Sequence, residues 1–492
     1  MTIRRASGAL MHVSSLWGDY SVGSFGREAT EWIDFLAESG FSYWQVLPFC
    51  LPDEVNSPYK SYSAFSGNPY FIDLPTLALE GLLTKEELAS AKQKTPYVCE
   101  FDRLEKERLP LLRKACARFK DWDKADRFLK SHPHTEKFCE FMALKAANGG
   151  TDWTEWTTEE ADPEEVRFWE FTQYEFYRQW TYLKNYANSR NVRIIGDVPI
   201  YVSQDSADVW SAPEQFQLDK RHLPTRVAGV PPDYFAKDGQ LWGNPLYDWA
   251  YMKKDGYRWW IDRMRFMTEL FDGVRIDHFR AFESYYSIPA DAETARDGVW
   301  KKGPGLPFLK KIREEFPDTL LIAEDLGDIT DAVRKLVRES GLPNMRVFQF
   351  AFLGDPNTPH LPHNYNENCV AYSGTHDNNT LLGYVWEEDA GVRGEMLSYC
   401  GFDRPDWQNG FDSIRRTLFA SHAGLVILPV QDLLLYGADT RMNRPGVRDG
   451  NWAFRVAAYQ KAELDREAGK FRYWNRLYGR LPEQPKRPAG KK

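Results

Sequence analysis

The stretch FDGVRIDHFR, residues 271–280, places Val274 and Ile276 in a short apolar run that ends in an aspartate, a histidine and an arginine. Side chains of a strand alternate between faces, so Arg275 and Asp277 point the same way. A guanidinium beside a carboxylate favours the ionised form. That is how a nucleophile is held, and it is equally how an ordinary ion pair is built. The run reads as a buried strand with a polar C-terminal end. The fold then depends on how many other runs follow the same plan.

Seven do: GALMHVS (8–14), SYWQVLPF (42–49), VRIIGDVPI (192–200), TLLIAED (319–325), MRVFQF (345–350), CVAYSGTHD (369–377) and LVILPVQDLL (425–434). Helical patterns lie between several of them, in GREATEWIDFLAES, YRWWIDRMRFMTELF, FLKKIREEF and ITDAVRKLVRES. Strands alternating with helices predict parallel βα units. Eight of them predict an α/β protein of the (β/α)8, or TIM-barrel, type. The spacing is uneven, with long segments after the second and third strands. The expected organisation is one catalytic barrel over 1–492, with an inserted loop and helical subdomain at 50–190. A second insertion, at 201–255, is rich in Pro, Gly and aromatics and reads as a substrate-covering loop subdomain. Both follow strands, so both belong at the C-terminal face, where barrel active sites are built.

Composition narrows the function. The 492 residues carry a net charge of −8, which speaks against a nucleic-acid partner. Six scattered cysteines without a Cys-x-x-Cys pair suggest neither a disulfide framework nor a zinc site. No run approaches the length of a membrane span and no signal peptide is visible, so the expected location is the cytoplasm. The aromatic content is high, with 18 Trp, 25 Tyr and 30 Phe. Trp259 and Trp260 sit in a periodic helical pattern and read as core. Tyr59, Tyr62, Tyr234, Trp242 and Tyr247 instead lie among Pro and Gly, in loop-like sequence. There they either pack the loops down or offer flat faces to sugar rings.

Three strands end in acids: Asp277 on the fourth, Glu324 with Asp325 on the fifth, and Asp377 on the seventh. In a barrel such ends converge on one mouth. Taken singly, each acid serves equally as a helix N-cap or a turn residue, and His278 as a structural histidine. Taken together, three carboxylates suit glycosidic-bond chemistry, in which one attacks the anomeric carbon and another protonates the leaving oxygen. The same set would also suit a divalent metal.

The motifs SPYKSYSAFSGNPY, GDVPIYVSQDSADVW, GVPPDYFAKDGQLWGNPLY, FDGVRIDHFR, LIAEDLG, SGTHDNNT and QDLLLYGADTRMNRPG occur in this order along the chain. Together they resemble the amylomaltases, or 4-α-glucanotransferases, of the α-amylase clan. The resemblance implies a retaining transfer of α-1,4-glucan segments between maltooligosaccharides, without cofactor or metal. It makes Asp277 the nucleophile, Glu324 the general acid/base and Asp377 the carboxylate that binds and distorts the sugar. It makes Arg275, His278 and His376 polar partners around that sugar, and Tyr59 the ring stacked on it, with Ser57 beside it. It assigns Asp233, Gln240 and Trp242 to the loop closing over the glucan. Two departures are Ala281, where the family pattern has Gly, and Tyr286, where Trp is common. A hydrolase of the same clan and a non-catalytic glucan-binding barrel are the alternatives.

Overall fold

The computed structural model describes residues 3–52, 55–232 and 237–482, and among these the chain forms twelve strands. In chain order they are Ala6–Leu10 (β1), Tyr43–Gln45 (β2), Arg193–Val198 (β3), Arg226–Val230 (β4), Gln240–Pro245 (β5) and Gly273–Ile276 (β6). Ser284–Pro289 (β7), Val299–Lys302 (β8), Leu320–Ala323 (β9), Asn344–Val347 (β10), Cys369–Tyr372 (β11) and Leu425–Pro429 (β12) follow. Eight of them close a parallel barrel in the order β1-β2-β3-β6-β9-β10-β11-β12, with β12 pairing back onto β1. These are the eight apolar runs of the sequence. The runs continue past their paired segments at the C-terminal end, because residues such as Glu324 and Asp325 leave the ladder to form the mouth.

The apolar runs need no polar alternation because both faces of each strand are covered. Ile195, Ile322, Met345, Val370, Tyr372 and Ile427 fill the barrel interior. Val274, Ile276, Leu321, Ala371 and Val426 face the other way, into the layer between strands and helices. The four helical patterns form Arg27–Glu38, Arg258–Leu270, Gly305–Glu315 and Asp331–Ser340. The last is sharply bounded: Thr330 accepts from the Val333 N–H at its start, and Gly341 turns left-handed at its end. Trp259 and Trp260 are buried, as their periodicity predicts.

Between β2 and β3 the chain is mostly helical, and its longest helix is Pro163–Ser189. Asp162 caps that helix and Pro163 occupies its first turn. Trp180 anchors it to the barrel layer by donating to the Leu270 carbonyl at 2.8 Å.

The region over the mouth departs from the sequence reading. Residues between β3 and β6 form more than loops: β4 and β5 join β7 and β8 in an antiparallel sheet of order β5-β4-β7-β8. The cover therefore draws on chain following β6 as well as β3. Its strands lack an alternating pattern, since β8 is exposed throughout and β5 largely so. Tyr247 is a second correction. It is buried in the core and donates to the Ile200 carbonyl at 2.8 Å, so it offers no face to a sugar. Tyr62 is half-buried against the same core. Tyr286 fits its place by burying its ring and donating to the Ala295 carbonyl at 3.0 Å. Ala281 is likewise buried.

Candidate active site

The register of the barrel builds the first cluster. Asp197 on β3 pairs with Arg275 on β6, and both point inward. One Arg275 nitrogen lies 2.8 and 2.7 Å from the two Asp197 oxygens and 2.9 Å from Asp277 Oδ1. The Arg275 and Asp197 side chains are 4% and 0% exposed, against 28% for Asp277. Tyr59 completes the cluster by donating from its hydroxyl to Asp197 Oδ2 at 2.7 Å. One guanidinium thus serves two carboxylates, one sealed below it and one open to the cleft. Burial pushes the Asp197 carboxyl up in pKa, and Arg275 opposes this. Sequence reading passed over Asp197. The available signal was an acid inside the apolar run VRIIGDVPI.

Just beyond β6 the chain makes a tight turn. His278 adopts the left-handed conformation at φ 49° and ψ 45°, a strained setting for a residue with a Cβ. The turn aims the His278 N–H at Glu324 Oε2, at 2.7 Å, while the Leu326 N–H reaches Oε1 at 2.8 Å. Ile276 pairs with Ala323, so Asp277 and Glu324 are the next residues along adjacent strands. Burial pushes the Glu324 carboxyl up to about 7. The nearby Asp277 charge adds to the rise, while Arg275 and the two N–H donors oppose it. Burial also pushes His278 down to about 4, so its ring is neutral near pH 7. That ring stands edge-on to Trp242, with centroids 4.9 Å apart.

The opposite wall comes from the ends of β11 and β12. Asp377 Oδ1 accepts from Asn443 Nδ2 at 2.6 Å, and the Asp377 carbonyl accepts from Arg441 at 3.1 Å. His376 Nε2 lies 3.4 Å from Asp377 Oδ2. The His376 ring stacks on Tyr59 at 5.1 Å and 18°, and Trp452 packs against both rings. Between the walls lies a cleft of about 250 Å³ lined by Ser57, Tyr59, Trp242, Asp277, His376 and Asp377, with Tyr201, Asn244, Asn443 and Trp452. Ser57 Oγ accepts the Tyr59 backbone N–H at 3.3 Å, which fixes the turn that carries the ring. Gln240 is exposed on β5 and accepts from Trp242 Nε1 at 3.0 Å. Asp233 and Tyr234 lie outside the described residues. The wall residues Arg441, Asn443 and Trp452 went unassigned from sequence, because nothing in a loop such as TRMNRPG says which barrel strand it will face.

A carboxylate held by a buried cation, a neighbour with a pKa near neutrality, and aromatic walls form a site able to carry out nucleophilic attack and proton transfer at a sugar's anomeric centre. Among the described residues, no three His, Cys, Asp or Glu side chains group as a metal would require. No described helix is long and apolar enough to cross a membrane.

The family model of 4-alpha-glucanotransferases matches residues 11–461. The Clostridium butyricum 4-alpha-glucanotransferase is 41% identical over 96% of this chain and its own full length. The Thermus thermophilus enzyme of the same name is 42% identical over 93% of this chain and 95% of its own. The Streptococcus agalactiae amylomaltase, solved in complex with acarbose, superposes with a TM-score of 0.93 at 37% identity, covering 97% of this chain and 100% of that one. With its barrel, its carboxylates in register and these matches along nearly its whole length, the chain belongs to the 4-alpha-glucanotransferase family.

Proposed function

We propose that the chain carries out 4-α-glucanotransfer by double displacement, with Asp277 as nucleophile and Glu324 as general acid and base. Asp277 attacks the anomeric carbon of an α-1,4-glucan donor. The glycosidic bond breaks, and Glu324 gives its proton to the departing oxygen. An acceptor hydroxyl then attacks the glycosyl-aspartate, Glu324 takes the acceptor's proton, and Asp277 is released. Configuration is retained because two inversions cancel. Asp377, fixed by Asn443, holds the ring hydroxyls of the reacting sugar, and Tyr59 with His376 offers it a flat wall. Trp242 and Gln240, on the strand over the mouth, take the acceptor and keep bulk water out. Asp233 belongs with them in this reading, from its motif alone.

The observation that carries the proposal is the environment of Glu324. A carboxyl poised at about 7 beside the Arg275–Asp277 pair can give and take a proton at the pH of the cell. Donors and acceptors are α-1,4-glucans and maltooligosaccharides. All six cysteines are free thiols, which supports a reducing, cytoplasmic setting. Incubation with maltotriose tests the proposal. Transfer gives a ladder of longer and shorter maltooligosaccharides, hydrolysis gives only glucose and maltose, and a binding barrel leaves maltotriose intact.

A further inference from the structure

We propose that Trp386, backed by Trp407, is a second contact surface for α-1,4-glucan on the rim of the catalytic cleft, and that long chains use it while short ones do not. The inference rests on the glucanotransferase reading above.

Trp386 is 65% exposed, an unusual position for so large an apolar ring. Leu79 and Tyr182 are also exposed, and scattered single residues of that kind need no explanation. Trp386 differs because its surroundings are built to hold it. The Trp407 ring lies 5.5 Å away at 58°. Trp407 is held in turn by the Arg393 guanidinium, 4.6 Å above its ring, and by Phe411. Arg393 also donates to the carbonyls of Val385, Trp386 and Glu388, at 3.4, 3.5 and 3.2 Å. The cation therefore ties the backbone carrying Trp386 to the ring that supports it. Such a face loses little freedom when a ligand arrives.

The position of this face identifies the ligand. Trp386 is the penultimate residue of the short helix Leu381–Glu387, whose cap Thr380 follows Asp377 by three residues. Asn379 donates to Glu387 at 2.9 Å across the length of that helix. The same helix packs on the turn Ala438–Thr440, directly before Arg441 and Asn443, which bond Asp377. The helix that carries the exposed indole is thus joined to the wall of the cleft, both by the chain and by packing. The cleft's volume of about 250 Å³ falls below the usual range for enclosing even a drug-sized ligand. A polymeric glucan held at Asp277 must leave over the rim. The apolar C–H faces of its glucosyl units suit a rigid indole, as they suit the aromatic walls inside.

Trp386→Ala tests this in the full-length enzyme. KM for long amylose is expected to rise about five-fold, the worth of one aromatic contact. The kcat on amylose and the kcat/KM for maltotriose should stay at wild-type values. Migration in a native gel containing soluble starch should be less retarded, and Trp386→Tyr should restore both readouts. Unchanged amylose KM and retardation would overturn the proposal. So would equal loss on amylose and maltotriose with a lower melting temperature that Trp386→Tyr does not repair. Failure of the glucanotransferase reading itself is seen separately, as the absence of a ladder from wild-type enzyme on maltotriose.

Discussion

At Glu324 burial outweighs three opposing influences: the Arg275 charge and the two backbone N–H groups that favour the ionised form. The same rise suits the residue to the proton transfer proposed for it, at some expense to folding. Raising its pKa from 4.5 to about 7 means that the folded chain binds the proton more tightly than the unfolded chain between those values. Stability therefore falls as pH rises through that window, by up to about 3 kcal/mol, and the loss is complete above it. Glu324→Gln removes the buried charge. Its melting temperature should exceed that of wild type at pH 8, and the gap should close towards pH 4.5. A gap that ignores pH would separate Glu324 from this titration. In the wild type, kcat/KM for the donor should decline as pH rises through about 7, because the proposed first step needs the protonated carboxyl.

The sheet β5-β4-β7-β8 decides where Trp242 and Gln240 stand. Gly229 on β4 is a point of close approach, where a Cβ would run into the Gln240 carbonyl and the Ile288 side chain. Gly229→Ala must push β4 and β5 apart, and with them the Trp242 ring that stands against His278. We expect this variant, like Trp242→Ala, to release more glucose to water and to transfer less to sugar. Product ratios from maltotriose, measured beside a melting curve, check it. An unchanged ratio in both variants would remove this strand from acceptor binding. An equal fall of both reactions together with the melting temperature would mean that Trp242 only packs.

The whole barrel is secured at the end away from the site. The seam where β12 meets β1 is pinned by Arg480, which follows the last long helix, Lys461–Leu477. Its guanidinium donates to the carbonyls of Ala6, Phe419, Ser421 and Gly424, at 2.8 to 3.3 Å. Burial pushes its pKa down to about 9. Arg480→Ala would remove these bonds at about 0.5–1.5 kcal/mol each, since Arg5 still donates to the Ser421 and Phe419 carbonyls and the Ala6 N–H to that of Gly424. We expect a clear drop in melting temperature with kcat on maltotriose nearly unchanged at low temperature, because the mouth lies at the other end of every strand. Loss of kcat without loss of stability would contradict this separation of the two ends.

The sequence by itself determined the eight barrel strands, because strands covered on both faces must be apolar runs that stand out wherever they occur. It also determined that Arg275 and Asp277 share a face, since strand alternation leaves no choice, and that Trp259 and Trp260 are core. Only the tertiary structure decided what those residues meet. The Asp197–Arg275 pair depends on the register between β3 and β6, which are 74 residues apart. The contacts of Asp377 with Asn443 and of Tyr59 with His376 join loops from different strands. Tyr247 and Trp242 read alike as aromatics among Gly and Pro, yet one is core and the other lines the cleft. The sheet over the mouth gave no signal because its outer strands β5 and β8 are largely exposed, its inner strands β4 and β7 are short buried runs, and none alternates. Local pattern records which face of an element is buried. Which element buries it is settled by barrel closure, and the chemistry of this site lies in those long-range meetings.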